Sequence, residues 1–280
     1  MRTFAGIPKE FSDFKKSKAI IVPVPYDGTS TWKKGADKGP NAILDAAENM
    51  ELFDIETGFE TYKHGIHLHD LIPISTSPKL TNNNIYRITQ RLLTENKLLT
   101  FLGGEHSISI GIIQAFKKKY PELSVVQFDA HLDLRDSYEG TEYNHACALH
   151  WANLNTDLHQ IGIRSMDVDE RKNMNAEKVV LSSAISDSYD WTELSNKLNE
   201  FVYLTIDLDV LDPSIMPSTG TPEPGGLNWN QLVSAIRTIS KKNTIVGFDI
   251  VELCPNKHNY HSDFTAAKLL YKTISFILNK

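Results

Sequence analysis

Only two cysteines, Cys147 and Cys254, occur in 280 residues. No disulfide framework is implied, neither thiol forms a metal motif, and a reducing compartment, the cytoplasm, fits. Positive charge is also scarce. Lysine and arginine number 29 against 35 aspartates and glutamates, a net charge of −6, the wrong sign for gripping phosphate backbones, so nucleic acid is excluded as a partner. No apolar stretch approaches the ~18 residues of a membrane span, and the start, Met1-Arg2-Thr3-Phe4, lacks the apolar segment of a secretory signal, so no membrane partner is expected. Repeats, low-complexity tracts and long linkers are missing too, and one domain over 1–280 is expected. What remains is 41% hydrophobic and 23% charged, the composition of an ordinary globular enzyme able to bury a core.

Seven short runs rich in Val, Ile, Leu and Phe, at 19–24, 98–102, 124–128, 158–163, 179–181, 201–206 and 244–250, read as buried strands. Helical patterns lie between them at 41–54, 84–96, 108–119, 192–200, 230–241 and 264–278. The alternation predicts an α/β fold with a mainly parallel sheet. Gly39-Pro40 opens a helix and Tyr120-Pro121 closes one, whose terminal Lys117, Lys118 and Lys119 read as a solvated end complementing the helix dipole. The turn-rich stretch 219–226 is too short to separate domains and reads as the border of a site.

Four strands are followed by acids or histidines: Gly103-Gly104-Glu105-His106-Ser107, Asp129-Ala130-His131-Leu132-Asp133, Asp207-Leu208-Asp209, and Glu252. Ligands of open parallel sheets bind beyond the carboxyl ends of the strands, so these segments should meet in one crevice. A lone Asp-x-Asp after a strand is usually a turn or a cap. Several such groups together, with no Lys or Arg inside the motifs, would strand buried carboxylates at several kcal/mol each, unless metal cations balance them. Residues 129, 131 and 133 point the same way from an extended strand exit, and 207 and 209 repeat the spacing. With His106, the set is large enough for two ions roughly 3.5–4 Å apart. Oxygen-rich donors with a minority of imidazole suit manganese. Metal coordination makes water a nucleophile near neutral pH, so hydrolysis is the implied chemistry.

Other candidates read as structural. His64, His67 and His69 precede Asp70 without an acid-rich strand end, and His67 and His69 would share a strand face. His258 and His261 fall in a polar loop, and Cys254 reads as an inert buried thiol near Glu252.

The ordered string of motifs resembles the ureohydrolase family, the arginases and agmatinases, over nearly the whole chain, with further matches at Pro25-Tyr26-Asp27-Gly28-Thr29-Ser30, 219–227 and Asp249-Ile250-Val251-Glu252. The resemblance implies a three-layer α/β/α fold and two Mn²⁺ ions per subunit, serving to split a guanidinium into an amine and urea. It implies that His106, Asp129, Asp133 and Asp207 hold one ion and that Asp129, His131, Asp207 and Asp209 hold the other. His145 would shuttle protons and Glu252 would grip the guanidinium. A trimer or hexamer of identical subunits is implied as well.

The arginase pattern Ser-Gly-Asn-x-His-Gly is missing before His145, where the chain reads Thr141-Glu142-Tyr143-Asn144-His145-Ala146. The loop 134–144 sets Asp136, Glu139 and Glu142 against Arg135, a balance suited to a distal amine. An agmatinase-like branch making putrescine and urea from agmatine is therefore expected, with aminopropylagmatine an alternative. A buried Arg135 would instead favour a carboxylate-bearing substrate such as 4-guanidinobutyrate, formiminoglutamate or arginine. A non-catalytic, metal-binding regulatory homologue is the alternative of another class, and intact His145 and Glu252 argue against it.

Overall fold

Strands form where β-branched and aromatic residues run unbroken, and in the computed structural model, which describes residues 2–280, such runs are buried on both faces. All six residues of β1 (Ala19–Val24), β3 (Leu98–Gly103) and β4 (Leu123–Phe128) are buried, which is why none shows the alternation of a half-solvated strand. With β2 (Ile66–Leu68), β5 (Asp157–Ile163), β6 (Val179–Leu181), β7 (Phe201–Asp207) and β8 (Thr244–Val251) they form one sheet in the order β2-β1-β3-β8-β7-β4-β5-β6. Every pairing is parallel, so all carboxyl ends share one edge. The four strands that precede the acid and histidine motifs, β3, β8, β7 and β4, are consecutive in the middle of that sheet.

Helices cover both faces, as expected of three layers. On one side α1 (Gly39–Ala47), α5 (Trp191–Lys197), α6 (Trp229–Lys242) and α7 (His261–Leu278) meet Leu102, Phe128, Leu204 and Phe248. On the other, α2 (Pro78–Leu92), α3 (Ile108–Lys119) and α4 (His150–Asn155) meet Phe101, Val125 and Tyr203. Neighbours along each strand thus serve opposite cores. Truncating Phe101 or Phe248 to alanine would cost about 3–5 kcal/mol.

Some boundaries differ from expectation. The helix expected over 41–54 stops at Ala47, and Asp54 Oδ1 instead accepts the N–H groups of Glu56 and Thr57, folding a turn. The helix expected from 84 begins at Pro78, with Ser77 as its cap. Two asparagines, Asn82 and Asn83, precede that expected start, yet Asn82 Oδ1 accepts Gly111 N–H across to α3. Strand β2 and helix α4 were not anticipated, because His67 interrupts the apolar character of β2 and the six residues of α4 are too few to show a period. Among the described residues no helix is long and apolar enough to cross a membrane.

Candidate functional site

The first motif is aimed by a crossing that only glycine permits. Gly104 N–H donates to Val24 O and Glu105 N–H to Tyr26 O, and a Cβ on Gly104 would lie 1.7 Å from the Tyr26 carbonyl oxygen. His106 follows at once. Beyond β4, Asp129 Oδ1 accepts His131 N–H at 2.6 Å, and Asp129 Oδ2 accepts Gln127 Nε2 at 2.7 Å, with Gln160 bracing Gln127 in turn. Beyond β7, Asp207 Oδ1 accepts Asp209 N–H, and Asp209 Oδ1 accepts Ala130 N–H. Both Asp133 and Glu252 have left-handed backbones, φ 55° and 66°, strain that the packing around a functional site sustains.

All six expected metal ligands converge. His106 Nδ1 lies 3.1, 3.2 and 3.3 Å from oxygens of Asp129, Asp133 and Asp207. His131 Nδ1 lies 3.0 Å from Asp209 and 3.5 Å from Asp129, so Asp129 belongs to both groups. Glu252 joins them, its Oε1 accepting His106 N–H at 2.7 Å. Among the described residues no lysine or arginine pairs with any of these four aspartates. Burial pushes the Asp133 carboxyl up to about 7 and Asp207 well above the usual range. Burial also opposes charge on both imidazoles, yet the surrounding carboxylates outweigh it and raise them. The cluster draws in positive charge from whatever source supplies it.

The donors fit a hard divalent cation. His106 Nε2 lies 2.8 Å from Thr205 Oγ1, whose hydroxyl donates to Asp249 Oδ1 at 2.6 Å. That hydrogen is committed, so the threonine oxygen accepts Nε2–H and leaves the Nδ1 lone pair among three carboxylates. Nδ1 is buried without a hydrogen-bond partner. Lone pairs facing lone pairs call for a cation, and oxygens with two imidazoles and no thiolate match manganese-type ligation.

Above this floor opens a cavity of about 310 Å³ whose lining includes His145, Arg135, Tyr138, Asp167 and Trp32. Burial, then the charge of His131, pushes the His145 imidazole down to about 4. Gly220 and Thr221 line the cavity too, as expected of the 219–226 loop. Arg135 does not reach freely into it: its Nη2 bonds Asp167 Oδ2 at 3.1 Å and its guanidinium lies 4.5 Å from the Tyr138 ring centre. Of the loop acids expected to face substrate, Glu139 and Glu142 are exposed and line neither this cavity nor the smaller one alongside, which Asp136 borders. Their turn carries them outward, and Asp167, after β5, supplies the carboxylate instead. His64, His67 and His69 lie outside the cavity, with the last two rings 6.4 Å apart. His258 and His261 are exposed elsewhere, and Cys254 is buried, its thiol raised by burial.

Sequence reasoning missed Thr29, Glu105, Thr205, Asp249 and Arg164. Arg164 clamps the carbonyls of Asp209 and Glu223. Thr29, Glu105 and Asp249 stood inside motifs without a role of their own, and Thr205 and Arg164 stood in none.

The model of the arginase family matches residues 17–275. The chain belongs to that family. It is thus a metal-dependent ureohydrolase, and the family's hydrolases act on guanidino compounds. It is 35% identical to the N(1)-aminopropylagmatine ureohydrolase of Thermus thermophilus, over 93% of this chain and 90% of that one. It is 34% identical to the agmatinase of Pyrococcus horikoshii, covering 94% and 93%. The crystal structure of agmatine ureohydrolase of Thermoplasma volcanium superposes with a TM-score of 0.90 at 29% identity, covering 100% of this chain and 95% of that one.

Proposed function

We propose that this ureohydrolase converts agmatine and water to putrescine and urea, with two Mn²⁺ ions held by His106, Asp129, His131, Asp133, Asp207 and Asp209. The observation that carries the reading is the sharing of Asp129 between two cation-ready groups directly beside Glu252. Bound there, the ions would lower the pKa of water to about 7 and balance the four aspartates. Glu252 orients the substrate: Oε1 is engaged by His106 N–H, while Oε2, toward Gly220, takes a guanidinium N–H. His145, neutral at pH 7, carries the proton that the departing amine needs. The whole chain acts as one unit, and a cytoplasmic trimer or hexamer belongs to the same proposal, supported by the family resemblance and by two free cysteines.

Arg135 decides the substrate class. Tied to Asp167 and stacked on Tyr138, it offers a carboxylate little, and the cavity's other cation, Lys33, is exposed. A substrate ending in an amine fits better. A second reading, aminopropylagmatine, is favoured by the names of relatives and by the adjoining cavity of about 140 Å³, where Asp136, Asp167, Asp169 and Glu170 outnumber Arg135 and Lys172. The test is Mn²⁺-loaded protein with agmatine, aminopropylagmatine, arginine, 4-guanidinobutyrate and formiminoglutamate, urea and product amine being followed by mass. Urea with putrescine is expected from agmatine. Higher kcat/KM on aminopropylagmatine would move the assignment to that substrate, and equal or faster turnover of arginine would sink both.

A further inference from the structure

Glu105 is fully buried, ion-paired with nothing among the described residues, and has no role in the mechanism above. Its partners lie instead on the loop after β1. Thr29 N–H donates to Oε2 at 2.6 Å, Thr29 Oγ1 donates to Oε1 at 2.7 Å, and Ser107 Oγ also donates to Oε1. The same threonine oxygen receives His145 N–H at 3.0 Å and stands 3.2 Å from His145 Nδ1.

We propose that Glu105 and Thr29 are positioning residues that hold neutral His145 as its Nδ1–H tautomer, leaving the Nε2 lone pair for the cavity. The inference rests on the reading of His145 as proton carrier, but its geometry is independent of that role. Three donors within 2.7 Å suit an ionised carboxylate, which only accepts. The one hydrogen of the Thr29 hydroxyl is therefore committed to Glu105. Its oxygen has acceptor capacity alone, and a ring nitrogen facing it must carry the proton. Nε2, on the other side of a ring that lines the cavity, takes up and gives back a proton while Nδ1–H stays bonded to Thr29 throughout. No rotation of the ring is needed between the two protonation states.

The arrangement makes opposite demands on two substitutions. Thr29→Val removes the acceptor and frees the tautomer. In Glu105→Gln the amide can turn a donor toward Thr29 Oγ1, so that the threonine hydroxyl swings to donate to Nδ1 and the proton moves to Nε2. Thr29→Ser keeps the hydroxyl and the native tautomer.

The test is ¹⁵N NMR of the full-length chain, uniformly labelled and freed of metal with a chelator, with the His145 ring signals assigned by their loss in His145→Gln. Wild type and Thr29→Ser are expected to show the pyridine-like shift on Nε2 at pH 7.5, and Glu105→Gln to show it on Nδ1. An Nε2–H tautomer in the wild-type spectrum overturns the proposal without recourse to any variant. So does an unchanged tautomer in Glu105→Gln that is folded by circular dichroism. With Mn²⁺ restored, Thr29→Val is expected to lower kcat by roughly tenfold or more with KM for agmatine within about twofold, and Thr29→Ser to recover it. A change in KM alone counts against the inference. Full urea release by His145→Ala would instead remove the proton-carrier reading while leaving the tautomer result standing.

Discussion

Two histidines of this chain are held by the same kind of device turned opposite ways. His106, fully buried on the floor, gives its Nε2–H to Thr205, which is anchored on Asp249, and so presents Nδ1 to the aspartates. His145, on the cavity wall, meets through Nδ1 the hydroxyl of Thr29, which is anchored on Glu105, and so presents Nε2. The floor gathers carboxylates that raise its imidazole, while burial and the charge of His131 lower the one on the wall. A carboxylate and a threonine thus select one ring nitrogen, and the surroundings decide whether it faces a cation or exchanges a proton.

The largest effect should come from emptying the floor. Asp129→Asn removes an oxygen charge that both groups share, so metal analysis should find at least one ion lost and urea release should fall by about a thousandfold or more. Retention of both ions at full rate would break the assignment. Thr205→Val strikes the floor one layer deeper: Mn²⁺ affinity, measured by competition with a chelator, should weaken roughly 10–100-fold. His145→Ala should leave both ions and KM in place while kcat drops about 100-fold, a split that no floor variant reproduces. The smallest effect is one of pH. In the metal-free chain the folded His145 titrates near 4, below the ordinary 6.5 of the unfolded state. The unfolded chain therefore binds the proton first, and stability falls as pH drops from 6.5 toward 4. Urea midpoints of His145→Gln over that window should decline less steeply than those of wild type.

How much of this was legible beforehand follows from what each residue had to say locally. The acids and histidines of the floor announced themselves as a set, because several such groups after apolar strands, with no lysine or arginine among them, would leave buried carboxylates unbalanced. The mainly parallel α/β sheet was legible from the alternation of apolar strands with helical patterns, and its three layers only through the family resemblance. Thr205 and Asp249 gave no such signal: each sits inside an apolar run, Thr205 meets His106 across 99 residues and Asp249 meets Thr205 across 44. Thr29 meets Glu105 across 76 residues. The acids of the 134–144 loop misled because composition carries no direction, and the turn that exposes Glu139, at φ 48°, is invisible in a count of charges.

The sheet order also governs when the site comes into being. Strand β8, last in the chain, lies between β3 and β7 at the centre of the sheet. A nascent chain that has not yet released residue 244 can hold only two unjoined half-sheets, β2-β1-β3 carrying His106 and β7-β4-β5-β6 carrying Asp129 and Asp207. Domains begin to fold from the amino end during synthesis, yet here no early fragment brings the two halves of the cluster together. Closure waits for the final strand, which delivers Glu252 in the same movement. The group around His106, which draws on both halves, is consequently completed only after β8 is in place, whereas Asp129, His131 and Asp209 all belong to the later half.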